Sequence, residues 1–478
     1  LILAILWKDT KQGDGANVKV SGKTMRDPMR FLRNNSFRHV VYELKGGYLL
    51  LPVLITLLLS LAAICLPYLE ESVPAFRQWA ESTTFLVPSD PGMAQLLLGA
   101  IAGSCITIVS VVYSVILIAL TFASIQFSPR ILTSFVKDRV SQGTLGMFIG
   151  TFAYCLVLLP SLKGGEKAVM PTLSLTVALL LATVCVFYLI FFIHHIALAI
   201  QANYIVDRIA RETEAILRTM FGPPLKGAPA IDPPLPEPPG GREVPSQRSG
   251  YIQFIDEAKL FKLAMRSDVT IYVNRSVGQF IPAGVPCITV MPSSRADEYL
   301  MQDCLDCFQI GPVRSMEGDI EFGVLQMVDI ALKAISPAVN DPSTAISCID
   351  NLSRILILAV RLEPPSSRIF DEQANLRLVR RQTSFPRLLA IAFDQIRPYG
   401  KSDMAVSLRL MRALYDISGV TNYPPYLTAI RANAQSIAKS CAAWFEKEDC
   451  EELFERLAVI EYRRRGVPDT TGTTEQTA

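Results

Sequence analysis

The sequence predicts a membrane α-helical protein with four transmembrane helices and a cytosolic α+β domain, in which a small β-rich piece precedes a mainly helical region. Three observations carry this. Half of the 478 residues are hydrophobic and only 19% are charged, with a mean hydropathy of +0.32, a rare balance for a soluble domain. The apolar residues crowd into the first 200 positions. A proline-rich stretch then separates them from a remainder long enough for one or two soluble domains.

Crossing the hydrocarbon core takes about 20 apolar residues. Tyr48 to Leu69, Met93 to Ile125, Gly143 to Leu162 and Pro171 to Ile193 meet or approach that length within a membrane domain spanning 48–200. Residues 1–47 carry nine Lys and Arg, whereas the loop after the first span is acidic, with Glu70, Glu71, Glu81 and Asp90 against Arg77. Arg130, Lys137 and Arg139 follow the second span, and Arg208, Arg211 and Arg218 follow the fourth. Cationic loops stay on the cytosolic side, so both termini are expected there. The apolar run Leu1 to Trp7 is too short to span, and an interfacial anchor is one reading of it.

The second span is too long. As a helix its 33 residues extend roughly 50 Å, against a membrane core of about 30 Å, so it must tilt, kink or project into the cytosol. Gly99, Gly103, Thr107, Ser110, Ser114, Thr121, Ser124 and Ser128 recur along it at helical steps, forming a stripe down one face. Such a stripe either packs helices closely or lines a pore. No span carries Asp, Glu, Lys or Arg at its centre, which argues against ion-coupled transport. His194 and His195 end the fourth span. They read as interfacial polar residues or as a pH-sensitive gate, because imidazole titrates near neutral pH.

Residues 201–221 predict a helix extending the fourth span, and 222–250, with nine prolines, an extended or disordered linker. In 251–296, strands are expected at Tyr251 to Ile255, Val269 to Val273 and Cys287 to Val290, with a helix over Glu257 to Arg266. This spacing resembles the barrel-sandwich of biotinyl carrier domains, without the lysine such a carrier modifies. From Asp297 to 465 the pattern is helical, and 466–478 is a polar tail. Ser336, Asn340, Asp341 and Thr344 mark a helix-loop-helix corner. Asp341 is expected as N-cap before Pro342, with a ligand or subunit contact as the alternative.

The ten cysteines follow no disulfide framework and suit a reducing compartment. Cys304 and Cys307 form a lone Cys-x-x-Cys with no second pair, so no metal site is expected. No cofactor loop and no nucleophile-base set is recognisable, which weighs against an enzyme, and a net charge of +2 gives no reason to expect nucleic acid.

Several motifs together, Ala123 to Arg130, Gly150 to Cys155, Phe192 to His195, Asp319 to Gly323 with Gln326 and Asp329, and Ser336 to Ala345, resemble a bacterial family of predicted membrane proteins, domain of unknown function 2254. The resemblance implies a four-span inner-membrane protein and no established activity. The expected function is a homo-oligomeric, channel-like passive pore regulated by the cytosolic domain. The alternative is a membrane-anchored scaffold or accessory subunit. The expected partners are the lipid bilayer, further copies of the chain, and proteins bound through the cytosolic domain.

Overall fold

The computed structural model describes residues 50–72, 90–126, 138–162, 171–225 and 240–462. The N-terminal segment, Ser128, most of the proline-rich stretch and the polar tail lie outside these residues.

Four long apolar helices form the N-terminal bundle: α1 (Leu50–Ser72), α2 (Pro91–Gln126), α3 (Arg139–Leu158, tightening into a 3-10 turn to Leu162) and α4 (Thr172–Ala199). Each overlaps one of the apolar runs read from the sequence. The central helix is α3, which packs against α1, α2 and α4. Half of its apolar window is buried, against 11% to 17% in the other three. Its Asp138 N-cap accepts from Ser141 N at 2.9 Å, relieving a backbone donor that the first turn leaves unpaired.

The chain breaks at Ile200–Gln201, where Gln201 is extended, and restarts as α5 (Ala202–Met220). The helix predicted here forms, but it is no free extension of the fourth span. Ile205, Val206, Ile209, Ala210, Thr213 and Leu217 bury one face of α5 in the core of the C-terminal helices.

Among the described residues nine more α-helices and eight strands follow: β1 (Arg242–Pro245), β2 (Gly250–Ile255), α6 (Glu257–Ser267), β3 (Thr270–Val273), β4 (Phe280–Ile281), β5 (Pro286–Met291), α7 (Glu298–Leu305), β6 (Phe308–Gly311), α8 (Ile320–Ala334), α9 (Pro342–Arg361), β7 (Arg368–Phe370), β8 (Leu376–Val379), α10 (Phe385–Phe393), α11 (Ile396–Gly400), α12 (Met404–Ser418), α13 (Pro424–Cys441) and α14 (Glu451–Tyr462). They enclose two cores. In one, α5 and α8 to α14 pack together. In the other, a five-stranded sheet of order β1-β5-β3-β8-β7 and a three-stranded sheet of order β4-β2-β6 close around α6 and α7.

Four sequence expectations need correction here. Residues 242–245 are not linker: β1 pairs antiparallel with β5, Arg242 opposite Val290. As an edge strand it tolerates Pro245, whose missing N–H costs no inner ladder bond. The boundary at 296/297 is not respected, because β8 returns from the helical region to pair in parallel with β3, Ile271 opposite Leu378. The strands therefore build an open mixed sheet with a second small sheet, and no carrier-type barrel. The short strands β6, β7 and β8 interrupt a stretch that reads as wholly helical.

Among the described residues, five helices are apolar enough by length and composition to cross a membrane: the four of the bundle and α9. In α9, however, Ala345, Cys348, Ile349, Leu352, Ile355 and Leu356 face the helical core, and Asp350 and Arg354 pair with Arg409 of α12 and Glu214 of α5.

Candidate functional site

The stripe on α2 faces away from the other described residues. The helix buries its other side, through Ala94, Leu98, Ala102, Cys105, Val112, Ile116, Ala119 and Ala123. Gly99, Gly103, Thr107, Ser110, Ser114 and Thr121 are exposed, and Ser124 is half-buried. A side-chain carbon added at Gly99 or Gly103 would meet nothing within 4 Å. Close packing inside the chain is therefore not what the stripe does. Its hydroxyls turn back on their own helix: Thr107 donates to Gly103 O at 2.8 Å, Ser114 to Ser110 O at 2.8 Å and Thr121 to Leu117 O at 2.8 Å. Satisfied in this way, the face suits lipid, water or a second helix without leaving polar groups unpaired.

The close approach occurs on α3 instead, which the sequence reading missed. A Cβ at Gly146 would lie 2.8 Å from Ile55 Cδ1 and 3.0 Å from Pro52 Cα, and one at Gly150 would lie 2.7 Å from Leu59 Cδ1. The Gly-x-x-x-Gly spacing of 146 and 150 was the available signal, since small residues four apart share a helix face. The next residues in the motif Gly150 to Cys155 tie α3 to α4. Thr151 Oγ1 meets Cys185 Sγ at 3.3 Å, and the fully buried Tyr154 donates to Ser174 O at 2.9 Å. Glu70, read from the sequence as part of the acidic loop after the first span, lies at the end of α1 and is only 5% exposed. Both of its oxygens accept from Leu173 N, at 3.1 and 3.2 Å, so it caps α4, whose own N-cap residue, Pro171, has no side-chain acceptor.

At the opposite end of α4 the two histidines separate. His194 is exposed. His195 Nε2 lies 3.1 Å from Asp138 Oδ1, while Asp138 Oδ2 accepts from Ser141 N and, at 2.6 Å, from Ser141 Oγ. Asp138 thus caps α3 and holds the end of α4 at once. The pair borders a cavity of about 20 Å³, lined also by Ile116, Ala119, Leu120, Ile196, Ala199 and Arg208, room for about one water. Asp138 was counted in no sequence motif, because its partner lies 57 residues away.

The corner after α8 has the geometry of a cap. Thr344 N and Oγ1 donate to the Asp341 carboxylate at 3.1 and 2.5 Å, Ser336 Oγ donates to Lys333 O, and Asn340 adopts φ +49° in the exposed turn. The motif at 319–323 is a joint. Asp319 caps α8 through Phe322 N at 3.0 Å and accepts from Arg314 Nε and Nη2, each at 2.9 Å. Burial raises its carboxyl to about 6 despite Arg314. Gly278, at φ +84°, lies over this pair, where any Cβ would collide with Asp319 Oδ2. Gly323 lets α8 approach Thr213 of α5, and Glu321 accepts from Arg387. The joint therefore fastens the sheet region to the helical core.

Among the described residues, no three His, Cys, Asp or Glu side chains converge to hold a metal ion. Cys304 and Cys307 are core residues whose thiols burial pushes up to about 12, far from a reactive thiolate. A surface groove of about 590 Å³ beside α14, lined by Phe445, Lys447, Glu448, Glu451, Phe454 and Glu455, brings no histidine to these acids.

The family described as Predicted membrane protein (DUF2254) matches residues 45–416. An uncharacterized protein of Mycobacterium bovis and one of Mycobacterium tuberculosis are each 31% identical to the chain over 368 residues, covering 75% of this chain and 70% of theirs. No solved structure matches.

Proposed function

The chain belongs to the DUF2254 family of predicted membrane proteins, and from that premise we propose that it forms a homo-oligomeric, channel-like passive pore regulated by its C-terminal domain. One observation carries the reading: α2 directs its Gly, Ser and Thr stripe outward, with none of the described residues over it. Around a symmetry axis such faces from several copies would meet, their small residues permitting close approach and their hydroxyls offering a polar lining. The absence of charge at the centre of the spans suits passive movement down a gradient.

In this reading α1 to α4 cross a bacterial cytoplasmic membrane, and α9 stays in the cytosolic domain because its ion pairs with α5 and α12 belong to that core. The distribution of Lys and Arg supports a cytosolic location for both termini in this reading. Of the two histidines proposed for a pH-sensitive gate, His195 is the one tied to a second helix, through Asp138, whereas His194 is exposed. The corner at Ser336, Asn340, Asp341 and Thr344 would serve as a subunit contact through its exposed turn.

The test is the purified full-length chain in nanodiscs and liposomes. A ring of defined copy number, with solute or ion flux that Thr107→Phe or Ser114→Phe alters while assembly persists, supports the pore. A strict monomer without flux overturns it.

A second reading, a scaffold or accessory subunit, is favoured by the outer face of the three-stranded sheet. There Tyr251 and Phe280 pack edge to face at 5.3 Å, with Phe280 51% and Phe254 43% exposed. Co-purification of a stoichiometric partner from native membranes would favour it over the pore.

A further inference from the structure

Among the described residues the bundle meets the C-terminal domain where α2 and α4 reach α5, and α2 enters this junction differently from α4. The α2 helix runs unbroken for 36 residues, about 54 Å. Near its last turn, Ala123 is buried in the same apolar core as Ile205, Val206 and Ile209 of α5. Just before that, Ile116, Ala119 and Leu120 border the cavity shared with Asp138, His195 and Arg208. The α4 helix, although it precedes α5 directly in the chain, stops at the extended residue Gln201. A continuous hydrogen-bonded helix carries a displacement along its length, whereas a break absorbs it in a few soft dihedrals. Small residues at Ala119 and Ala123 bring the helix close, and the Asp138–His195 pair holds the ends of α3 and α4 against it.

From this geometry we infer that α2 is the lever by which the C-terminal helical core acts on the bundle: Ala123 is its point of engagement, and the Asp138–His195 pair is the tie that keeps α3 and α4 in step. The lever's consequence for flux rests on the pore reading above, whereas the coupling itself does not.

The decisive measurement is hydrogen exchange on the full chain in nanodiscs, comparing wild type with Ile355→Val and Leu352→Ala. Both positions are fully buried on α9, which packs on α5 far from the bundle in sequence. Loosening that core should speed exchange across residues 202–217, and with it residues 118–126, on the order of tenfold. The start of α2, at 91–105, should not change. If Leu352→Ala does not fold, Ile355→Val carries the test alone. Faster exchange in 202–217 with 118–126 unmoved overturns the lever.

A second arm uses Ala123→Leu, which wedges the engagement, and Asp138→Asn, which weakens the tie. Each should shift liposome flux severalfold with copy number preserved. No flux in the wild type sinks the pore and leaves the exchange result to decide the lever. Flux in the wild type that neither variant alters counts against the lever alone.

Discussion

Four glycines separate what the bundle packs from what it leaves open. Consider alanine placed singly at Gly146, Gly150, Gly99 and Gly103. In a helix, Gly→Ala gains about 1 kcal/mol, because the backbone loses less freedom on folding. At Gly146 the new methyl sits 3.0 Å from Pro52 Cα, a backbone atom that moves only if α1 moves, and 2.8 Å from Ile55 Cδ1. Overpacking of this kind costs about 1–3 kcal/mol, so the net change is a loss of up to about 2 kcal/mol. At Gly150 the closest atom is Leu59 Cδ1 at 2.7 Å, the far end of a flexible side chain, with Ile55 O at an unstrained 3.5 Å. The expected net change there is near zero. At Gly99 and Gly103 nothing lies within 4 Å, so an isolated chain should gain up to about 1 kcal/mol. The assay has two parts: unfolding of each variant held monomeric in a dissociating detergent, and copy number in a mild one. The expected order of stability is Gly99→Ala and Gly103→Ala above wild type, Gly150→Ala level with it, and Gly146→Ala below. In mild detergent, the proposed assembly predicts that Gly99→Ala and Gly103→Ala lower the copy number. If Gly146→Ala stabilised the monomer as much as Gly99→Ala, the packing of α1 on α3 described above would be refuted.

Three further outcomes follow from single groups. Replacing Glu70 with Gln should cost about 0.5–1 kcal/mol and with Ala up to about 2, read as a drop in thermal midpoint, because the N-terminus of α4 loses a charged acceptor. An Ala variant as stable as wild type would contradict that role. Asp319 has a folded pKa of about 6, above the ordinary carboxylate value, so the folded state holds the proton more tightly. Its contribution is therefore fully present below about pH 4 and is lost as pH rises toward 6, a decline on the order of 1–3 kcal/mol. Subtracting the stability profile of Asp319→Asn from that of wild type should isolate this slope, and a flat difference between pH 4 and 6 would refute it. Cys304 and Cys307, buried and raised to about 12, should resist maleimide at neutral pH until the sheet region unfolds, as peptide mapping would reveal.

Local signals in the sequence located the elements well. The four apolar runs of the bundle each coincide with a helix, and the predicted strands at 251–255, 269–273 and 287–290 all form. Asp341 before Pro342 marked the start of α9. Such features are legible because they act over one or two turns: hydrophobic periodicity, a capping carboxylate, a proline at the first helical position. The short strands β6 and β8 were not legible, because each becomes a strand only by pairing with a segment far away, β6 with β2 and β8 with β3. The stripe on α2 was visible from its spacing, but spacing fixes only that residues share a face, not where that face points.

Composition and periodicity are enough to specify an apolar α-helical bundle joined to an α+β region, and a second helix too long for its neighbours and marked by glycine, serine and threonine. That this stripe turns outward, and that Gly146 and Gly150 of α3 carry the close packing in its place, emerges from the packed helices. The same packing brings Asp138 to His195, and Glu70 to the start of α4. The reason is physical. Periodicity is a property of one helix, whereas the choice of which face is covered is settled by the volumes and donors that neighbouring helices bring, and those come from residues far away in the chain.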